Sequence, residues 1–139
     1  MQIDGMNEVL INAMFETVPM EITVIDANDR VLAWNKHHTR LFNRPEACYG
    51  MDFRDCHGPK NLAIIERIVG EMKSGAKDKV RFWLDLEVDK ITHKKNKILI
   101  EFFALRDING KYLGCMECSQ DIQEIMGLTG SKVLMDEGE

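Results

Sequence analysis

Residues 22–35 read ITVIDANDRVLAWN: two short apolar runs separated by the polar tetrad Ala27-Asn28-Asp29-Arg30. Ile22, Val24 and Ile25 suit one strand, and Val31, Leu32 and Trp34 suit a second. The four turn-forming residues between them make the pair a β-hairpin. A helix-like segment begins directly after Asn35. A hairpin that runs straight into short helices, with further strands downstream, is the beginning of a small α+β domain.

Upstream of the hairpin, Met6, Leu10, Met14 and Val18 recur at helical spacing, with Val9, Ala13 and Thr17 beside them. The spacing predicts a helix over 7–18, capped by Asp4 or Asn7 and stopped by Pro19. It is amphipathic, so its apolar stripe needs a surface to cover.

Downstream, Lys36–Phe42 reads as a short helix broken at Asn43-Arg44-Pro45. Pro45 suits the first turn of another short helix, Glu46–Tyr49, closed by Gly50. Residues 51–56 read as irregular. His57-Gly58-Pro59 then leads into the clearest helix, Lys60–Lys73. Leu62, Ile65, Ile68, Val69 and Met72 share one face of it, opposite Glu66, Arg67, Gly70 and Lys73.

Three strands close the chain. In 79–88, Val80, Phe82, Leu84, Leu86 and Val88 alternate with Arg81, Trp83, Asp85 and Glu87. In 96–106, Ile98, Ile100, Phe102 and Ala104 oppose Leu99, Glu101, Phe103 and Leu105. The turn 107–110 precedes the last strand, 112–120. With Glu101 and Glu117 marking the outer face, Ile100, Phe102, Met116 and Cys118 are expected to point inward. Phe103, Leu105 and Trp83 then fall on a face that water alone does not suit. The N-terminal helix, a second subunit, or both are expected to cover it.

The chain has 139 residues and a formal net charge of −5, which fits one domain with one core. The acidic balance argues against a broad nucleic-acid-binding face. The one basic cluster, His93–Lys97, reads as a hairpin loop. No apolar run is long enough to span a bilayer, and the start carries acids where a signal peptide would be basic. A cytoplasmic protein is expected, with its four cysteines reduced.

Four stretches in order, VIDANDRVLAWN (24–35), LFNRPEACYG (41–50), LRDINGKYLG (105–114) and SQDIQE (119–124), resemble the PAS domain family. The last resembles the Asp-Ile-Thr signal that closes PAS cores, with Gln123 in place of Thr. The segment 53–75, with the strand after it and the tail, further resembles a bacterial and archaeal PAS subgroup also found at the end of hemerythrin-associated proteins. The resemblance implies a five-stranded antiparallel sheet with helices on one face, and the N-terminal helix is expected to cover the other. It implies a cap over 1–20, a core over 21–125 and a tail over 126–139. It also implies a sensory or dimerisation module with a pocket between the long helix and the sheet, lined by Ile65, Ile68, Met72, Phe82, Leu84, Ile100, Phe102 and Met116.

Two functions follow from that resemblance. One is a ligand-sensing module for a small apolar or planar molecule. The other is a dimerisation module with a filled core, docking through Leu10, Met14, Trp83, Phe103 and Leu105. No segment with kinase, DNA-binding or cyclase character is expected after the core, so output would pass through a partner or a second copy. His57 is the one candidate metal ligand, and only as an axial ligand of haem, which some PAS sensors hold through a histidine. His37 and His38 are neighbours on the first short helix, so one of them is expected to face solvent. Flavin photochemistry is not expected, because no Asn-Cys-Arg-Phe-Leu-Gln type of segment is present. Cys115 and Cys118 spell C-x-x-C, but on a strand they would face opposite ways. A thiol-dependent enzyme using Cys56 and His57 is the weakest reading, since no third orienting group is evident.

Overall fold

The hairpin forms from β1 (Glu21–Asp26) and β2 (Val31–Trp34), paired antiparallel. The computed structural model describes residues 3–36 and 39–134. The Asp26 carboxylate organises the turn by accepting from Asn28 N at 2.9 Å and Arg30 N at 3.0 Å. Asp29 takes the left-handed conformation there, φ 66°, which a short polar side chain tolerates.

The remaining strands are β3 (Lys79–Asp89), β4 (Lys94–Arg106) and β5 (Tyr112–Asp121). All neighbours run antiparallel in the order β2-β1-β5-β4-β3. β5 enters the middle of the sheet through Gly114, which pairs with Asp26. A Cβ at Gly114 would lie 2.1 Å from the Ile25 carbonyl oxygen, so only glycine permits this approach.

The long helix α2 (Pro59–Lys73) lies across one face of the sheet. Pro59 opens it, where the missing N–H costs nothing. Ile68, Val69 and Met72 are its buried residues, packed in one cluster with Ile98, Ile100, Phe102 and Cys115. Its C-terminal end is tied down. Lys73 Nζ lies 2.6 Å from Asp29 Oδ1, and the Met72 carbonyl accepts from Arg106. Residues 53–56, expected to be irregular, form a 3₁₀ turn after Asp52, whose side chain accepts from Arg54 N. Glu46–Cys48 forms another 3₁₀ turn.

Several expectations are corrected. Among the described residues of 36–42 there is no helix, and His37 and His38 lie outside the described residues. β5 has the opposite facing to the one expected. Cys115, Glu117 and Ser119 stand opposite Ala104, Phe102 and Ile100 on the helix side, whereas Met116 and Cys118 stand opposite Phe103 and Glu101 on the outer side. Glu117 is therefore an inner residue, and it is tolerated there because an arginine reaches it. Cys115 and Cys118 do face opposite ways. A short helix, α3 (Gln123–Met126), precedes the expected tail, and residues 127–134 form no regular element. Gln123 fastens the exit of the core, since its side chain accepts from Lys97 N at 2.9 Å.

The first helix, α1 (Glu8–Thr17), starts at Asn7, whose side chain accepts from Leu10 N at 2.8 Å. It does not bury its stripe on the sheet. It contains no buried residue, and Leu10 and Met14 are 46% and 50% exposed. Its attachment is through its C-terminal turn. Asn35, fully buried, accepts from Ile22 N at 2.7 Å and donates to the carbonyls of Phe15 at 2.6 Å and Met20 at 3.0 Å. Lys36 N adds a bond to the Glu16 carboxylate. No helix among the described residues is long and apolar enough to cross a membrane.

Asn35→Ala strands three backbone groups and is expected to cost about 2–4 kcal/mol, read as a lower urea midpoint at unchanged slope. Gly114→Ala forces β1 and β5 apart and is expected to shift the same midpoint at least as far, since the clash is with backbone.

Candidate ligand-binding cleft

Beneath the C-terminal half of α2, Val69 and Met72 are fully buried while a shallow groove runs towards β3 beside Ile68 and Glu71; the space beneath the N-terminal half is open. There Ile64 is 57% exposed and Leu62 and Ile65 are half-buried. A cleft of about 180 Å³ opens between this end of the helix, β3, β4 and the segment 42–44. Its apolar wall is Phe42, Ile64, Ile65, Phe82, Leu84, Ile100 and Phe102, and its polar groups are Arg44, His57, Asn61 and Glu117. The Phe82 and Phe102 rings in this wall lie 6.1 Å apart and within 19° of parallel. An inner chamber of about 30 Å³ continues towards Thr23, Cys48 and Cys56. Arg44, His57, Ile65, Phe102 and Glu117 border both spaces.

Arg44 and Glu117 meet at the partition, with Arg44 Nη2 3.3 Å from Glu117 Oε1. Their side chains are only 13% and 16% exposed, so each charge depends on the other for compensation. The segment carrying Phe42 and Arg44 is staked onto β1 by a second pair. The buried Glu21 carboxylate accepts from Leu41 N and from Phe42 N, and lies 3.7 Å from Arg40 Nε. Arg40 donates in turn to the carbonyls of Phe42 at 2.8 Å and Asn35 at 2.9 Å. Burial lowers the Arg40 guanidinium from its ordinary value, opposed by Glu21 and reinforced by Arg44. Both guanidinium groups reach the Thr23 hydroxyl, at 3.2 Å from Arg40 and 3.4 Å from Arg44.

Of the residues expected to line a pocket, His57, Ile65, Phe82, Leu84, Ile100 and Phe102 come together at the cleft. Ile68 and Met72 do not. They are 5% and 0% exposed in the filled half of the core, where Met72 meets the Cys115 sulfur at 3.5 Å. Met116 is on the outer face. Phe42, Arg44, Asn61, Ile64 and Glu117 were not anticipated. Asn61 and Ile64 carried a weak signal, as helix residues one turn apart beside Ile65. Arg44 and Glu117 carried none, being 73 residues apart.

The His57 ring bonds the Phe53 carbonyl oxygen through Nδ1 at 2.7 Å, and His57 lines the cleft. It does not cap α2, whose N-cap is Gly58. A haem group does not suit this space. The cleft lies below the ~300 Å³ at which pockets for ordinary organic ligands begin, and a tetrapyrrole is far larger than those. Among the described residues no cluster of three or more His, Cys, Asp or Glu side chains is placed to hold a metal ion.

The Cys56 thiol is pushed up to about 12 by burial first, then by its hydrogen bond with Cys48 and the nearby Cys48 charge. Burial likewise pushes Cys115 to about 12 and Cys118 to about 11.

A family model for the PAS domain matches residues 11–123, and the chain belongs to that family. Solved structures agree on the fold. The C-terminal domain of a Streptococcus mutans protein superposes with TM-score 0.76 at 24% identity, covering 87% of this chain and 89% of its own. The PAS domain of Bordetella pertussis BvgS gives TM-score 0.61 at 16% identity, over 86% and 93%. A Vibrio cholerae VqmA dimer gives TM-score 0.62 at 15% identity, over 96% of this chain and 59% of that one. A further VqmA structure is described as bound to DPO. At these identities the likeness establishes fold alone. No curated protein matches the chain in sequence.

A thiol with a raised pKa is neutral at pH 7 and ionises only as pH climbs towards that value. Iodoacetamide is therefore expected to label Cys56 far more slowly than a free cysteine at neutral pH, with the rate still rising above pH 9. Fast labelling at pH 7 would revive the thiol-enzyme reading.

Proposed function

We infer that this PAS domain is a sensory module that takes a small, compact molecule in the cleft beneath the N-terminal half of α2. The observation that supports this most is the contrast within one core. Native interiors are close-packed, and here Met72 is fully buried, yet a cleft of about 180 Å³ stays open at Asn61, Ile64 and Ile65 of the same helix. An apolar cleft with a few convergent polar groups is the usual form of a small-molecule site. VqmA, which shares the fold over 58% of its own chain, is described as bound to DPO. Signalling rather than catalysis suits the site, because burial holds Cys56 as a neutral thiol and Arg44 is paired with Glu117.

The purified chain is expected to carry a copurified molecule detectable by native mass spectrometry, or to be stabilised by one member of a metabolite panel. At a hundredfold excess over Kd the gain is about 2.7 kcal/mol, roughly 8 °C in Tm for a domain of this size. Ile65→Trp fills the cleft and is expected to abolish the shift while leaving the circular dichroism unchanged. A panel that moves Tm in both proteins equally, or in neither, would count against the reading.

A homodimer is the second part of the proposal, and the outer face favours it. Trp83 is 63% exposed, with Phe103 and Leu105 half-buried in the same sheet face, and the α1 stripe of Leu10 and Met14 is unburied. A second copy that brings its own α1 stripe supplies the missing cover, and a PAS-containing protein of the same fold forms a dimer. Phe103→Glu is expected to convert dimer to monomer in sedimentation velocity with the domain still folded. A dimer unaffected by it would place the interface elsewhere.

A further inference from the structure

The polar wall of the cleft is electrically balanced. Arg44 and Glu117 face it from the 42–44 segment and from β5, and Arg40 and Glu21 stand directly behind, linked through Thr23. Two guanidinium groups thus meet two carboxylates. His57 and Asn61 complete the polar rim from the helix end, while β3 and β4 contribute only apolar side chains.

This balance selects against charge. An anion drawn to Arg44 also lies against Glu117, and a cation drawn to Glu117 lies against Arg44. In a part-buried site such a juxtaposition is poorly screened. A neutral group with an acceptor and a donor side by side meets both partners at once, its acceptor taken by Arg44 and its donor by Glu117. The Arg44–Glu117 contact leaves room for this. At 3.3 Å it is longer than the ~2.7–2.9 Å of a tight charge-assisted bond. The near-parallel Phe82 and Phe102 rings put aromatic area in the wall, against which a planar ring can pack.

We propose that the cleft recognises a small, neutral, planar molecule with a cis-amide (lactam) edge. Its carbonyl is bound by Arg44, its N–H by Glu117, and its ring lies along the Phe82–Phe102 wall. The proposal rests on the reading of the cleft as a ligand site and names the chemistry that site selects.

The test is calorimetric titration of the full chain with three probes: quinolin-2(1H)-one, its N-methyl derivative, and quinoline-2-carboxylate. The lactam is expected to bind at least tenfold more tightly than either of the others, because the N-methyl probe leaves Glu117 without a donor and the carboxylate opposes it. Glu117→Gln leaves Arg44 without its counter-charge, and it is expected to reverse the order so that the carboxylate binds best. If that variant does not fold, the wild-type series still decides the matter. Wild-type protein that binds the carboxylate or the N-methyl probe as tightly as the lactam overturns the lactam assignment while the cleft stands as a ligand site. Binding of none of the three also overturns it. In that case a copurified molecule lost from Ile65→Trp would show that the cleft itself is still a site.

Discussion

The domain hangs on an unequal anchorage of its long helix. The C-terminal end of α2 is fixed three ways: Ile68, Val69 and Met72 fill the space above β4 and β5, Lys73 pairs with Asp29 of the hairpin turn, and Arg106 grips the Met72 carbonyl. Each large apolar side chain buried there is worth about 1.5–3 kcal/mol. The N-terminal end has no comparable load. It is held chiefly through Arg54, which bridges Asp29 and Asp52 to Glu66. Hydrogen bonds to Asp29, Asp52 and Glu66 raise the Arg54 guanidinium above its ordinary value against the opposing effect of burial. The cleft lies beneath this less deeply buried end of the helix.

Charge inside this domain is admitted only in pairs. Glu21 and Glu117 project from β1 and β5 onto the face that carries the core, and each is met by an arginine from the segment after β2. An isolated carboxylate at either position would cost several kcal/mol, or would take up a proton. The same pairs position a loop of little intrinsic regularity, so Phe42 and Arg44 become fixed walls of the cleft. The electrostatics that stabilise the loop are therefore the electrostatics a ligand would meet.

The outer face follows a different logic. Glu101 is satisfied there by Arg81 and Lys79. Burial pushes its carboxyl up, but hydrogen bonds from Arg81 and then Lys79 outweigh that and hold it below the usual range. Beside this polar patch, Trp83 and the stripe of α1 leave apolar area exposed among the described residues. The two faces thus differ in kind: one carries a cleft bordered by paired charges, the other a polar patch beside exposed apolar side chains.

Periodicity in the chain was enough to read every strand and the two longer helices, because alternation of Val80, Phe82 and Leu84, or the spacing of Ile65, Ile68 and Met72, is a local property. The hairpin at 22–35 was legible for the same reason, since Asp26 and Asp29 build the turn with their immediate neighbours. Orientation of β5 was not legible. Its residues are amphipathic on both faces, and Glu117 was assigned to water because a carboxylate usually belongs there. Its arginine lies 73 residues away and only the fold brings it near. The course of 36–44 was hidden too, since it depends on the Glu21 and Arg40 contacts rather than on helix propensity. Local pattern fixed which segments are strands and helices. The cleft and its charge balance arose from contacts between residues far apart in sequence, whose pairing energy exists only once the chain has closed around them.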